Sequence, residues 1–127
     1  MDNRELYRIA LDATKNSYAP FSNFRVGAAL MAKDGRIFTG VNVENSSLGA
    51  TICAERTACV KAVSEGYREF EAIAVASPDG EAWPCGICRQ FLYEFAPDLR
   101  VISGADEDSI REHRLTELLI EGFRLEK

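Results

Sequence analysis

Three cysteines constrain this chain more than any other feature of its sequence. Cys85 and Cys88 form a Cys-x-x-Cys step, a spacing that lets two sulfurs bind one tetrahedral metal ion, and Cys53 lies well before them. The step alone is ambiguous, because redox pairs and structural zinc sites share it. Three thiol ligands leave one position of a zinc ion open, whereas a structural zinc is normally closed by a fourth protein ligand. We therefore predict that the fold brings Cys53 to the other two around one Zn²⁺.

Glu55 lies two positions after Cys53 and is not needed as a ligand. By itself it would be an ordinary acid in the first turn of a helix. Beside a three-thiol site, however, its carboxylate can move protons between water and a substrate nitrogen. A Cys or His, a Glu two residues later and then Pro-Cys-x-x-Cys is the pattern of zinc deaminases. Arg56 comes next, and our hypothesis is that it offsets the excess charge of three thiolates by hydrogen bonding to a sulfur.

Composition narrows the class of protein. Twenty acidic residues oppose fifteen basic ones, and the net charge of −5 argues against a nucleic-acid partner. No apolar run is long enough to cross a membrane, and the N-terminus does not have the pattern of a secretion signal. Four cysteines without such a signal indicate a reducing, cytoplasmic location. We expect one domain, residues 1–127.

Hydrophobic periodicity predicts an α/β fold, because the order is a helix, a hairpin and then strands alternating with helices. The expected arrangement is a single-domain α/β/α sandwich whose mixed sheet has about five strands. Helices are predicted over residues 3–18, 53–65 and from 84 or 85 onward, and strands over 24–32, 37–43, 72–76 and 99–103. Residues 110–115 fit either a strand or a helical turn, and 116–120 are predicted to be helical. The third helix should bury Ile87, Phe91, Leu92 and Phe95.

Five motifs in this order resemble the small zinc-dependent cytidine deaminases of pyrimidine salvage, which typically form homotetramers. The motifs are Tyr18–Ser22, Phe24–Leu30, Asn42–Asn45, Cys53–Ala58 and Pro84–Gln90, and Glu117–Leu119 followed by Phe123 is similar to that family's closing segment. Two positions depart from the family pattern. Leu48 stands where many relatives have a tyrosine that helps to bind the sugar, and Ile120–Phe123 lacks a proline that usually follows the paired leucines.

The resemblance implies a role for each matching residue. Cys53, Cys85 and Cys88 would bind one Zn²⁺ per subunit, and Glu55 would shuttle protons. Asn42 and Glu44 would hydrogen-bond the ribose 3′-hydroxyl. Phe24 would lie against the pyrimidine ring, with Val26 nearby and the Ala54 backbone reading the base. Phe123 would be offered to the active site of a neighbouring subunit.

The implied reaction is hydrolytic deamination of cytidine and 2′-deoxycytidine to the uracil nucleosides and ammonia by zinc-activated water. Two alternatives remain open at this point. One is a related deaminase that acts on a nucleoside antibiotic or on a base within a polynucleotide, and the other is a zinc-stabilised binding domain without catalysis. Three residues outside the motifs are assigned as follows: Cys59 is buried, His113 is on the surface, and Trp83 either shapes the mouth of the site or serves packing.

Overall fold

A computed structural model of residues 1–127 contains one five-stranded sheet, and the predicted α/β class is confirmed. Its strands are β1 (Gly27–Ala32), β2 (Ile37–Val41), β3 (Phe70–Ala76), β4 (Arg100–Ser103) and β5 (Arg111–Arg114). The spatial order is β2-β1-β3-β4-β5. Only β3 and β4 pair in parallel, and the other neighbours are antiparallel, so the sheet is mixed as expected.

Helices cover both faces of this sheet and complete the three layers. They are α1 (Asn3–Ala13), α2 (Ala54–Ser64), α3 (Gly86–Tyr93) and α4 (Leu115–Leu118). Alternate residues of a strand face opposite sides. Leu30 of β1 and Val75 of β3 therefore pack in one core with α2 and α3, while the alanines of β3 pack against α1 in a second core.

Several predicted boundaries and one predicted core residue are wrong. The first helix ends at Ala13 and continues only as a 3₁₀ turn to Asn16, and the first strand begins at Gly27 rather than at residue 24. Ile87 was expected in the core, but 66% of its surface is exposed. The reason is rotational: Cys88 and Leu92, four residues apart, face the core, and Ile87 lies one position to the side.

Two uncertain segments are decided by the structure. Residues 111–114 form an edge strand antiparallel to β4, which settles the choice between a strand and a helical turn. The helix expected over residues 116–120 covers only Leu115–Leu118. The helix predicted over residues 53–65 is confirmed as α2, and Gly66 follows its end with a φ of +95° that glycine adopts easily. No helix of the chain has the length and apolarity needed to cross a membrane.

Helix α2 lies unusually close to β2, and Gly40 makes this possible. A Cβ atom at position 40 would be 2.4 Å from the amide nitrogen of Ala58 and 2.5 Å from the carbonyl oxygen of Ala54. Both contacts are with helix backbone, which cannot move aside as a flexible side chain can. The first turn of α2, which follows Cys53 and contains Glu55, therefore takes its position from a glycine on β2.

We predict that Gly40→Ala lowers the free energy of unfolding by about 2 kcal/mol or more and weakens zinc binding, since the helix must shift. Urea unfolding and zinc titration measure the two effects. Gly49→Ala is the matched control, because its Cβ would meet nothing within 4 Å; it should change stability by less than about 0.5 kcal/mol. Equal stability of the two variants would contradict the prediction.

Candidate active site

The three predicted ligand sulfurs meet at one point between two helix N-termini. Cys53 is the N-cap of α2, Cys85 is the N-cap of α3, and Cys88 lies in the first turn of α3. The Sγ atoms of Cys53 and Cys85 are 3.9 Å apart, those of Cys85 and Cys88 are 3.6 Å apart, and all three lie within 4.8 Å of one another. We call Cys53, Cys85 and Cys88 the thiol cluster.

The thiol cluster fits a zinc ion by its spacing and its chemistry. Tetrahedral Zn–S bonds of about 2.3 Å place neighbouring sulfurs about 3.8 Å apart, and the two distances between Sγ atoms above bracket that value. The group contains no fourth His, Cys or carboxylate ligand. Cys59 lies apart in the core, where burial raises the pKa of its thiol to about 11. The donor set is therefore three sulfurs, which suits a zinc ion with one position open to a small molecule.

Positive groups on two sides offset the negative charge that the sulfurs carry as thiolates. Unpaired N–H groups at the two helix N-termini favour the thiolate form. The Nη2 atom of Arg56 donates a hydrogen bond to Cys53 Sγ at 3.3 Å, as the charge-offset hypothesis expects. Hydrogen bonding with Cys88, and then the Arg56 guanidinium, lower the pKa of Cys53 to about 5. The Nε atom of Arg56 is buried without a partner, which leaves an orphan donor next to the sulfurs.

Glu55 is a buried carboxylate beside the thiol cluster. It lies in the first turn of α2, only 4% of its surface is exposed, and it forms no ion pair. Burial, and then the negative charge of Cys53, raise the pKa of Glu55 to about 7. A carboxyl group with such a pKa can both accept and donate a proton near neutral pH.

A cavity of about 320 Å³ opens onto Glu55 and onto Cys53 and Cys85 of the thiol cluster. The predicted site residues that line it are Phe24, Val26, Asn42, Cys53, Ala54, Glu55 and Cys85. The remaining lining residues, Thr51, Glu81, Ala82 and Trp83, were not assigned to the site from sequence, although Trp83 was considered for its mouth. The segment just before the Pro-Cys-x-x-Cys motif, residues 81–83, is the sequence clue that could have identified three of them.

The Asn42 side chain holds one wall of the cavity in place. Its Nδ2 donates to the carbonyl oxygen of Phe24 at 2.8 Å, and its Oδ1 accepts from the amide of Val26 at 2.9 Å and from the Ser17 hydroxyl. These bonds occupy backbone groups that would otherwise extend β1, which explains why that strand begins at Gly27. One amide N–H of Asn42 is left for a ligand.

Two predicted substrate residues do not line this cavity. The Glu44 carboxylate accepts hydrogen bonds from the backbone amides of Phe21 at 2.9 Å and Ser22 at 3.1 Å and from the Ser22 hydroxyl. The Ser22 hydroxyl, with those amides, lowers the pKa of Glu44. Phe123 is 62% exposed, and its carbonyl oxygen accepts from Gln90 Nε2 at 2.8 Å. The sugar contact of Glu44 and the intersubunit role of Phe123 stay predictions.

The sheet covered by helices and the three thiols beside a buried glutamate define a zinc-binding deaminase domain. Residues 1–104 match the family model of the cytidine and deoxycytidylate deaminase zinc-binding region. The chain therefore belongs to the cytidine deaminase family.

Individual cytidine deaminases match this chain in sequence and in structure over most of its length. A cytidine deaminase from Halalkalibacterium halodurans is 46% identical over 128 residues, which span 99% of this chain and 97% of the relative. A probable cytidine deaminase from Dictyostelium discoideum is 56% identical over 106 residues, or 79% and 71% of the two chains. The crystal structure of a cytidine deaminase from Burkholderia pseudomallei has a TM-score of 0.91 and 44% identity, and the match covers 97% of this chain and 100% of that one.

We predict that replacing any member of the thiol cluster by serine removes the zinc and lowers thermal stability, because metal binding contributes to folding. Elemental analysis of the purified protein and thermal unfolding measure both effects. Cys59→Ala is the control: it should cost some core packing but keep one zinc per chain. One zinc per chain in Cys88→Ser, or its loss in Cys59→Ala, would contradict the ligand assignment.

Proposed function

We propose that this protein hydrolyses cytidine and 2′-deoxycytidine to uridine and 2′-deoxyuridine, with release of ammonia. The observation that carries the proposal is Glu55, a buried carboxylate without a cation partner, in a cavity that also contains thiols of the zinc site. Hydrolysis of an amidine carbon–nitrogen bond needs an activated water and a group that moves protons, and these two features supply both.

The positions of the thiol cluster, Glu55 and the cavity residues assign each of them a role in the reaction. Cys53, Cys85 and Cys88 would hold a zinc ion, which would supply the Lewis acidity that makes water a nucleophile near neutral pH. Glu55 takes one proton from the attacking water and gives it to N3 of the pyrimidine ring. It then takes the remaining proton from the oxygen now bonded to C4 and delivers it to the departing amine, so that the carbonyl forms as the carbon–nitrogen bond breaks. Phe24 lies against the base and Asn42 donates its remaining amide N–H to the sugar. The water oxygen becomes O4 of the uracil ring, and the amine leaves as ammonia.

The cavity contains a second carboxylate, Glu81, but its surroundings argue against a proton-transfer role. Its Oε2 accepts hydrogen bonds from Arg111 Nη2 at 2.8 Å and from the Trp83 indole at 2.7 Å. These two donors, Arg111 first, lower the pKa of Glu81. It therefore stays ionised and holds no proton to give. Glu55 has the opposite environment, which supports its assignment.

A free nucleoside is favoured over a polynucleotide as substrate. The net charge of −5 is unfavourable for tracking a phosphate backbone, and the predicted contact of Asn42 and Glu44 with a 3′-hydroxyl needs a sugar that ends there. Incubation with cytidine, deoxycytidine and single-stranded DNA separates the alternatives. Activity only on the polymer would overturn the proposal. No activity of zinc-loaded protein on any of the three would also overturn it, and would favour a deaminase of a nucleoside antibiotic or a binding domain without catalysis.

The four thiols are all free of disulfide bonds, which supports a reducing, cytoplasmic location.

The active unit in this proposal is a homotetramer. Large apolar side chains are exposed near the site and at the C-terminus, among them Leu48 at 71% and Phe123 at 62%. Exposed side chains of this kind mark protein interaction surfaces when they lie together. Gln90 lies two positions after the metal-binding Cys88 and donates a hydrogen bond to the backbone of Phe123. This bond leaves the Phe123 ring free to enter the cavity of a neighbouring subunit.

We expect Glu55→Gln to keep the fold and the zinc but to lose at least about 10²–10⁴-fold in kcat, because the amide cannot move protons. Absorbance of the cytidine-to-uridine conversion measures turnover, and elemental analysis measures zinc. Glu5→Gln is the matched control, since Glu5 is the first-turn acid of α1 and is exposed. A Glu55→Gln enzyme with near-normal turnover would rule out the proposed mechanism.

Mixing two impaired variants tests the shared site. In a hetero-oligomer of Glu55→Gln and Phe123→Ala chains, some cavities combine an intact Glu55 with the partner's intact Phe123. Random assembly should restore up to about a quarter of the wild-type sites. Activity after co-refolding measures this, and each variant refolded alone is the control. If mass measurements show mixed oligomers and activity does not rise, Phe123 does not serve a neighbour.

A further inference from the structure

The single tryptophan of this chain, Trp83, lies in the wall of the substrate cavity. It is next to Pro84 and two residues before Cys85, and it is partly buried against the large core beneath α2 and α3. It shares the cavity with Phe24, the other aromatic lining residue. A large indole in this place needs an explanation, since neither zinc binding nor proton transfer uses it.

The indole is held by contacts from two directions. Its Nε1 donates to Glu81 Oε2 at 2.7 Å, and Arg111 Nη2 donates to the same oxygen at 2.8 Å. The Arg111 guanidinium lies 5.3 Å from the centre of the indole, within cation–π range, and the His113 ring is also 5.3 Å away. Arg111 and His113 are alternate residues of β5, so they project from the same face of that edge strand.

These contacts decide what the indole can offer to a ligand. Its N–H is already bonded to Glu81, and it therefore presents apolar ring surface rather than a hydrogen-bond donor. An exposed Arg–Glu pair contributes little to stability by itself, so stabilising the fold is a poor explanation for Glu81 and Arg111. Holding the indole in one rotamer is a better one, because a contact residue that is already ordered loses less entropy when the ligand binds.

We propose that Trp83 is a substrate-contacting residue whose ring packs against the pyrimidine nucleoside on the Cys85 side of the cavity. Glu81 and Arg111 are positioning residues that act through the indole. This inference rests on the proposed function for the identity of the ligand. It adds a second aromatic wall to the one that Phe24 forms.

Tryptophan fluorescence tests the contact in the unaltered, zinc-loaded enzyme. Because Trp83 is the only tryptophan, its emission, excited where tyrosine does not absorb, reports on this wall alone. Addition of uridine, the proposed product, should change the emission saturably, with a midpoint equal to the inhibition constant of uridine in the cytidine assay. Unchanged emission at uridine concentrations that inhibit turnover would overturn the inference.

Substitutions test whether the contact contributes to binding. Trp83→Ala should raise KM for cytidine about tenfold, while kcat changes less than about threefold, since the contact is made equally before and during the reaction. Trp83→Phe keeps an aromatic ring, so its KM should lie between those of the wild type and Trp83→Ala. This variant also tests the contact if the alanine variant does not fold. KM values that match the wild type in Trp83→Phe and Trp83→Ala would refute the contact even though cytidine is still deaminated.

A double-mutant cycle tests the positioning role. Glu81→Ala should raise KM several-fold, and Glu81→Gln, which still accepts the indole N–H, should recover most of that loss. In the Trp83→Phe background, which has no ring N–H, Glu81→Ala should have almost no further effect. Glu65→Ala is the matched control, because it breaks a different Arg–Glu pair, the one in which Arg36 Nη2 lies 2.7 Å from Glu65 Oε1. The Arg36 guanidinium also lies over an aromatic ring, that of Phe38, but this pair is far from the cavity in the fold.

The outcomes separate this inference from the proposed function. Additive effects of Glu81→Ala and Trp83→Phe would refute positioning through the indole. Failure of the wild-type enzyme to deaminate cytidine would refute the proposed function instead, whatever the Trp83 variants do. A rise in KM in Glu65→Ala as large as in Glu81→Ala would show that the effect is a general loss of stability, and it would overturn the inference.

Discussion

The convergence of three thiols on one point is the constraint on which the rest of this structure depends. Bringing the sulfurs of Cys53, Cys85 and Cys88 within 4.8 Å places negative charge together, and this is costly unless positive groups face it. Two helix N-termini and Arg56 supply them. The chain therefore needs two helices that begin at the same place, and the face of the sheet on which both pack must hold them there.

Small residues in the sheet make that placement accurate. Gly40 lets α2 approach β2 until the helix backbone itself is in contact, and the alanines of β3 let α1 lie close on the opposite face. The position of Glu55 is thus determined by packing at the next turn of its own helix, against a strand that contributes no catalytic side chain. Core packing and the proposed proton transfer by Glu55 are therefore linked through helix α2.

The walls of the cavity are built from irregular segments rather than from strands. Asn42 bonds the backbone of residues 24–26 and keeps them out of β1, and Glu81 and Arg111 hold Trp83 on the other side. In both cases a polar side chain fixes an aromatic residue before any ligand arrives. The thiol cluster lies at two helix N-termini, and the loops that wall the cavity are tied down by side-chain hydrogen bonds.

Local patterns in the sequence identified the Cys-x-x-Cys pair, the Cys-x-Glu step, the hairpin, the end of α2 and the α/β class, because spacing, capping and periodicity act over a few residues. Other features were decided only by tertiary structure. The exposure of Ile87, the start of β1 at Gly27 and the strand at residues 111–114 depend on partners far along the chain. The hydrogen bonds between Glu44 and the loop at residues 21–22 also depend on distant partners, and so does the place of Glu81 in the cavity. A single sequence records which side chains are available, and the folded sheet decides which of them meet, because contacts between distant segments leave no periodic trace.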